Sequence, residues 1–275
     1  MSEKPPVDAS SIAALLEVAR SVAIDAADLA ARRRAAGVEV AATKSSLVDV
    51  VTHTDREVEE YLRERLARER PGDGFFGEEG APDDSSTGLT WVVDPIDGTV
   101  NFLYGIPQWA VSVAVVEGGP DPRSWRTLAG CVVNPLADET YEASLGGGAW
   151  SSGRRLAVAS PASLSQSLVG TGFSYDATRR VEQAEILGRF IGRVRDVRRM
   201  GAASLDLCAV ASGRLDAYAE RGLKPWDHAA GVLVASEAGA VVGGEGDDAP
   251  DERLTVAAAP GIADELRKVL VEAGF

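Results

Sequence analysis

Helical spacing of apolar residues dominates the amino-terminal part of the chain. From Ile12 onward, apolar residues recur every three or four positions, which predicts a long amphipathic helix ending near Arg34. A second apolar stripe of this kind follows Thr54, and Thr54 with Glu57 has the spacing of a capping box. We therefore expect a second helix that begins at Thr54 and ends at the turn formed by residues 71–74.

Short apolar runs bounded by turn residues predict strands in the rest of the chain, with further helices among them. The predicted strands cover residues 91–93, 110–116, 127–133, 139–143, 168–171, 216–218 and 254–258. The predicted helices cover residues 179–191, 203–211, 229–238 and 262–273. This mixture predicts an α/β fold class. No low-complexity linker divides the chain, so we expect a single domain over residues 1–275, with residues 243–251 as a surface loop.

Composition excludes several classes of protein. The 28 Lys and Arg against 42 Asp and Glu give a net charge of −14, which argues against binding to nucleic acid or to a membrane surface. The amino terminus lacks the apolar core of an export signal, and no uncharged apolar run is long enough to span a bilayer. Cys131 and Cys208 lie in apolar stretches without a C-x-x-C pair, so neither a disulfide framework nor a thiolate zinc site is expected. We expect a cytoplasmic protein.

The most informative motif is the sequence WVVDPIDGT at residues 91–99, where an apolar run ends in two carboxylates. Asp94 and Asp97 would point to opposite faces of a continuing strand, but Pro95 lacks an amide hydrogen. We therefore expect Pro95 to end the strand pairing, so that both carboxylates and the Ile96 carbonyl converge on one cation.

Gly98 and Thr99 follow at a predicted helix start. Unpaired amide groups there favour an anion such as phosphate, so a metal and a phosphate would lie side by side. The simpler alternative is that Asp97 or Thr99 only caps the helix. A cap explains neither the presence of Asp94 nor the apolar run that leads to the two acids.

Other acids occur at turns elsewhere in the chain. Glu78 and Glu79 follow an apolar pair, Asp49 lies within a short apolar run, and Asp227 follows Pro225 at a predicted helix start. Each has a plain alternative, a solvated turn acid or, for Asp227, a helix N-cap. Together they would give a pocket of hard oxygen ligands, which selects Mg²⁺, with Mn²⁺ as a substitute, over zinc or copper.

These motifs, in this order, closely resemble those of the Mg²⁺-dependent, lithium-sensitive inositol monophosphatases, in particular their bacterial inositol-1-monophosphatase-like branch. The two signature segments are residues 91–99 and 226–231, and residues 49–55 and 77–79 match the upstream acids of the family. The resemblance covers nearly the whole chain. It implies alternating layers of helices and sheets, as in the fructose-1,6-bisphosphatase-like fold, and often a homodimer. It divides the chain roughly into a metal- and phosphate-binding half, 1–150, and a substrate-binding half, 151–275.

The resemblance also implies a role for each motif residue. It assigns a first Mg²⁺ to Glu78, Asp94 and the Ile96 carbonyl, a second to Asp94, Asp97 and Asp227, and a weaker third ion to Glu78. It assigns activation of the attacking water to Asp49 and Thr99, and the phosphate to the Gly98 and Thr99 amides. It assigns the leaving alcohol to Asp97, Glu220 and the Ala203 amide. Glu220 has the alternative of an exposed acid, and Lys44, in a segment that resembles a mobile loop, either approaches phosphate or is a solvated surface residue.

Other enzyme classes fail on spacing. Haloacid-dehalogenase phosphatases separate their aspartates by one residue, whereas two residues separate Asp94 from Asp97. Neither a phosphate-binding P-loop nor a dinucleotide-binding glycine motif in its strand-to-helix context occurs, and no G-x-S-x-G accompanies His53 or His228, which we place outside the immediate site.

The sequence therefore predicts a phosphomonoesterase, with inositol 1-phosphate as the first substrate candidate. Fructose 1,6-bisphosphate, histidinol phosphate and 3′-phosphoadenosine 5′-phosphate are alternatives. We expect no aromatic side chain positioned to stack on an adenine, which disfavours the nucleotide. An alternative of another class is a regulatory protein that partners the transcription machinery.

Overall fold

The computed structural model of the chain describes residues 8–37, 40–43 and 50–275. The helices are α1 (Ala9–Ala36), α2 (His53–Glu69), α3 (Thr99–Tyr104), α4 (Ala177–Phe190), α5 (Ala203–Ala211), α6 (Pro225–Glu237) and α7 (Ala263–Ala273). The strands are β1 (Val40–Thr43), β2 (Val50–Thr52), β3 (Gly74–Gly77), β4 (Leu89–Asp97), β5 (Ala110–Glu117), β6 (Arg126–Asn134), β7 (Glu139–Ser144), β8 (Gly148–Ser151), β9 (Arg154–Arg155), β10 (Leu168–Gly170), β11 (Asp196–Arg198), β12 (Ala217–Glu220), β13 (Val241–Gly243) and β14 (Thr255–Ala258). Within these described ranges, every helix is too short or too polar to cross a bilayer.

The larger sheet has seven strands in the order β3-β4-β5-β6-β7-β8-β9, antiparallel except for the β3–β4 pair. Alternating side chains give it two buried faces. Trp91 and Val93 of β4 and Val113 of β5 pack against α1 and α2, whereas Val92 and Ala114 pack against α5 and α6. Each large apolar side chain buried in this way stabilises the fold by roughly 1.5–3 kcal/mol. The sheet is therefore fixed in register between two helical layers.

The smaller sheet has five strands in the order β11-β10-β12-β14-β13. Leu207 and Val210 of α5 pack with Tyr218 and Ala257 on one face of this sheet. The other face packs against α4 and α7 through residues such as Phe190. The molecule thus stacks α1 and α2, the large sheet, α5 and α6, the small sheet, and α4 and α7. This confirms the predicted α/β class with alternating layers of helices and sheets.

The start of α2 differs from the prediction. Thr52, not Thr54, is the N-cap, and the capping box is Thr52 with Asp55. The Thr52 amide donates to Asp55 Oδ2 at 2.8 Å, and the Asp55 amide donates to Thr52 Oγ1 at 3.3 Å. Glu57 pairs instead with Arg33 of α1. The box lies two residues earlier because Thr52 is the extended residue at the end of β2.

Candidate active site

The end of β4 carries the two motif carboxylates. Asp94 pairs with Ser112 of β5, the register then shifts, and Asp97 pairs with Ala110. Pro95 therefore does not end the strand, and our expectation that it would was wrong. The pairing instead skips an irregular step between the two acids, as a bulge does. Asp94 and Asp97 are both buried, and both line one cavity.

Gly98 turns the chain from β4 into α3. Its φ of +90° lies in the left-handed region that disfavours residues with a side chain. A Cβ atom there would also lie only 3.0 Å from the Gln108 carbonyl oxygen and 3.1 Å from that of Gly201. The N-cap position of α3 is Gly98 itself. The alternative that Asp97 or Thr99 only caps this helix is therefore wrong.

Asp97 binds the amino terminus of α5, a helix more than a hundred residues later in the chain. Its carboxylate accepts the Ser204 amide at 2.7 Å, the Ala203 amide at 3.2 Å and the Ser204 hydroxyl. Burial raises the pKa of Asp97 to about 6, although these three hydrogen bonds act in the opposite direction. The Ala203 amide, which the resemblance assigns to the leaving alcohol, is thus directed at Asp97.

Thr99 connects α3 to the start of α2. Its hydroxyl lies 3.2 Å from Asp55 Oδ1 and 3.1 Å from the Ile96 carbonyl oxygen, and can donate to either. Asp55 is fully buried and belongs to the α2 capping box. The Thr99 side chain is therefore held in one orientation at the edge of the cavity.

Asp227 lies in the first turn of α6, which begins at Pro225. Its Oδ2 accepts the Lys224 amide at 2.6 Å, so this acid contributes to the helix start and also lines the cavity. Burial raises the pKa of Asp227 well above its ordinary value, and the nearby carboxylates of Glu78 and Asp97 raise it further. Glu78 and Asp97 therefore each repel Asp227 across this space.

Glu220 ends β12 on the other side of the cavity. The Tyr218 hydroxyl donates a hydrogen bond to Glu220 Oε2. Gly172 makes room for this carboxylate, because a Cβ atom at Gly172 would overlap it. Burial raises the pKa of Glu220 to about 7. The hydrogen bond from Tyr218 and the Arg199 guanidinium lower this pKa, but by less than burial raises it. The plain alternative of an exposed acid is wrong.

All these groups line a single cavity of about 110 Å³. Its acidic lining residues are Glu78, Asp94, Asp97, Asp206, Glu220 and Asp227, and Ile96, Gly98, Thr99 and Ala203 also line it. The cavity thus brings together the predicted site residues of the described ranges. Asp49 and Lys44 lie outside the described residues.

Sequence reasoning missed four lining residues with aromatic or charged side chains, namely Phe173, Tyr175, Arg199 and Asp206. Phe173 and Tyr175 line the cavity, and the expectation that no aromatic side chain is positioned to stack on an adenine stays a prediction. Neither residue lies in a recognisable motif. The only signal for Asp206 was an isolated acid within the otherwise apolar helix α5.

Comparison with known proteins agrees with this arrangement. The family model described as "Inositol monophosphatase family" matches residues 11–273. The chain belongs to the inositol monophosphatase family. It is 46% identical to the inositol-1-monophosphatase of Mycobacterium bovis, over 94% of this chain and 93% of the relative.

Two further relatives carry different names. The solved structure of Mycobacterium tuberculosis SuhB superposes with a TM-score of 0.81 at 45% identity, covering 95% of this chain and 97% of the other. A protein named Nus factor SuhB, from Xylella fastidiosa, is 35% identical over 84% of this chain and 85% of its own length. Family members are phosphatases that generally depend on Mg²⁺.

The donor chemistry of this inositol monophosphatase chain fits Mg²⁺. The predicted ligands present only carboxylate and carbonyl oxygens, which hard cations prefer. The repulsion of Asp227 by Glu78 and Asp97 is the electrostatic situation that a cation relieves. Within the described ranges, no three His, Cys, Asp or Glu side chains are already gathered as a closed metal cluster. Asp97 accepts a hydrogen bond from the Ser204 amide, and Asp227 accepts one from the Lys224 amide.

The two histidines lie at different depths. His53 is exposed, whereas His228 is buried beside Trp125. Burial lowers the pKa of His228 to about 4, so it is neutral at physiological pH. His53 and His228 are both absent from the cavity lining, in line with their predicted place outside the immediate site.

Proposed function

We propose that this chain is a Mg²⁺-dependent phosphomonoesterase that hydrolyses a small polyol phosphate, with inositol 1-phosphate as the first candidate. The observation that carries the proposal is the convergence of Asp94, Asp97 and Asp227 with Glu220 on one cavity. The first three are oxygen ligands suited to a cation beside a phosphate. The fourth is a partly buried acceptor suited to a hydroxyl of the leaving alcohol.

In this proposal Glu78, Asp94 and the Ile96 carbonyl would hold one Mg²⁺, and Asp94, Asp97 and Asp227 would hold another. Glu78 would also hold a weaker third ion. Bound Mg²⁺ would supply an acidified water, neutralisation of the phosphate and stabilisation of the leaving alkoxide. The charge that these ions bring would favour the ionised forms of Asp97 and Asp227, whose pKa values are raised by burial.

The remaining residues position the reactants. Thr99, whose hydroxyl proton is directed at Asp55 or the Ile96 carbonyl, keeps a lone pair with which to accept a hydrogen bond from the attacking water. Asp49 is proposed as its partner in this step. The Gly98 and Thr99 amides are proposed to bind phosphate, and Asp97, Ala203 and Glu220 to bind the alcohol.

Phosphate release from the purified protein tests this function. The assay compares inositol 1-phosphate, fructose 1,6-bisphosphate, histidinol phosphate and 3′-phosphoadenosine 5′-phosphate, with Mg²⁺ and with EDTA. The nucleotide belongs in the set because Phe173 and Tyr175 offer aromatic faces at the cavity. We expect Mg²⁺-dependent turnover with a preference for inositol 1-phosphate. Metal-independent turnover, or none with any ester, would overturn the proposal.

A second candidate function follows from the relatives named Nus factor SuhB. A role as a partner of the transcription machinery would use the outer surface rather than the cavity. An Asp94→Asn variant separates the two functions: a partner role predicts that the cellular phenotype survives the loss of phosphatase activity. Loss of the phenotype together with the activity would count against the partner role.

Metal binding should change the dependence of stability on pH. The pKa of Asp97 is raised from 3.8 to about 6 in the folded chain, so the folded state binds more protons than the unfolded state between these values. The Asp97 contribution to the unfolding free energy therefore falls as pH rises through this window. Because Mg²⁺ binds the ionised carboxylates, we expect it to raise Tm more at about pH 8 than at about pH 5.

Thermal unfolding with MgCl₂, against NaCl of equal ionic strength, measures this difference. An equal shift of Tm at both pH values would contradict metal binding by these acids. The Asp94→Asn variant should show a smaller Mg²⁺-dependent shift than the wild type.

A further inference from the structure

Asp206 is a buried acid at the cavity that none of the predicted roles uses. It lies near the start of α5, with a relative exposure of 1%. Its amide donates to the Ala202 carbonyl at 3.0 Å, which fixes it within the helix. The side chain lines the same cavity as Asp97 and Glu220. Helix α5 therefore directs a carboxylate into the space where the leaving alcohol is proposed to bind.

One oxygen of Asp206 lacks a donor. Oδ1 is inaccessible to solvent and has no hydrogen-bond partner among the described residues. A buried carboxylate oxygen left without a donor is costly, and such oxygens are nearly always satisfied. The charged groups that interact with Asp206 are two carboxylates, Asp97 and Glu220, and the Arg199 guanidinium. Burial, Asp97 and Glu220 raise the pKa of Asp206, whereas Arg199 lowers it.

The other acceptors on this side of the cavity already have protein donors. Asp97 accepts two amides and a hydroxyl from α5, and Glu220 accepts the Tyr218 hydroxyl. No described residue donates to Asp206 Oδ1, and a ligand that enters the cavity can supply the missing donor. A neutral hydroxyl fits better than an ammonium group because the Arg199 guanidinium also lines this space.

We propose that Asp206 is a specificity-determining residue whose Oδ1 accepts a hydrogen bond from a hydroxyl of the leaving alcohol. Asp206 and Glu220 then present two acceptors from two elements, α5 and β12, to one ligand. The pocket thereby selects an alcohol that carries at least two hydroxyl groups besides the esterified one. This inference rests on the proposed phosphatase function and specifies the chemical class of the alcohol that leaves.

The test compares inositol 1-phosphate with cyclohexyl phosphate, which has the same ring size but no free hydroxyls. Asp206→Leu removes the acceptor at similar volume, and Asp206→Asn keeps one acceptor oxygen. For inositol 1-phosphate we expect Asp206→Leu to raise KM about tenfold with little change in kcat, since one hydrogen bond to a buried acceptor is lost. We expect Asp206→Asn to restore most of the affinity, and neither variant to change KM for cyclohexyl phosphate.

Asp251→Asn is the matched control, because Asp251 is a buried acid outside the cavity lining. It should leave the ratio of the two KM values unchanged. Circular dichroism and Tm establish that each variant is folded; if Asp206→Leu fails to fold, Asp206→Ala, which also lacks the acceptor, must still raise KM for inositol 1-phosphate alone. Equal losses for both esters would overturn this inference and leave the phosphatase function standing. A wild-type protein that hydrolyses neither ester would overturn both.

Discussion

Asp94→Asn should lose about a thousandfold in Mg²⁺-dependent phosphate release while the protein stays folded. In the proposed site this side chain serves two metal ions, so removing its charge weakens both. The Ile96 amide donates to Asp94 Oδ1 at 3.0 Å, and an asparagine oxygen can accept the same bond, which preserves the local turn. Steady-state kinetics over a range of Mg²⁺ concentrations, together with Tm, measures both effects. Activity close to that of the wild type would refute the ligand assignment.

Asp73→Asn is the matched control for this variant, because Asp73 is a buried acid at the other end of β4. Its carboxylate accepts the Trp91 indole N–H at 3.0 Å and the Thr87 hydroxyl at 2.6 Å, and it pairs with Arg70 at 2.9 Å. Losing that charge should lower Tm and leave kcat unchanged. The opposite pattern is expected at Asp94, with kcat lost and Tm kept.

Thr99→Ala should lower kcat roughly a hundredfold, whereas Thr99→Ser should stay within a few-fold of the wild type. The hydroxyl, held by Asp55 and the Ile96 carbonyl, is the group proposed to orient the attacking water. Asp55→Asn should also lower kcat, because Asp55 positions that hydroxyl. In the Thr99→Ala/Asp55→Asn double variant the two losses should not add, since both variants disturb one contact.

Thr52→Ala separates this effect from helix capping. It removes the capping side chain of α2 and leaves the contact between Thr99 and Asp55 in place. We expect a loss of about 1 kcal/mol of stability with kcat unchanged. Fully additive effects of Thr99→Ala and Asp55→Asn, with a matching loss of kcat in Thr52→Ala, would mean that Asp55 acts only through the helix.

The elements that the sequence predicted well are those with strong local patterns. The residues buried on α1 recur at helical spacing, and strands β4 and β5 carry apolar residues on both faces because helices cover both. The cap of α2 was misplaced because Thr52 and Thr54 each have an acid three residues later. Only the extended conformation of Thr52 distinguishes them.

At the site, too, the sequence predicted only the residues that lie in a local pattern. Acids next to Pro, Gly or an apolar run could be found because each lies where a strand ends or a helix begins. Asp206, Arg199, Phe173 and Tyr175 reach the cavity through tertiary packing and carry no local pattern. The route of the chain through Pro95 was also misjudged, because pairing with β5 resumes at Asp97 beyond the irregular step.

The place of α5 between the two sheets restricts how the enzyme can change during evolution. All nine residues of this helix are buried, and its start is bonded to Asp97, so a substitution at Asp206 must be compatible with packing on two sides. Phe173, Tyr175 and Arg199 line the same cavity but are partly or fully exposed. Drift in substrate preference among descendants of this protein should therefore begin at these rim residues, with α5 the last part of the alcohol pocket to diverge.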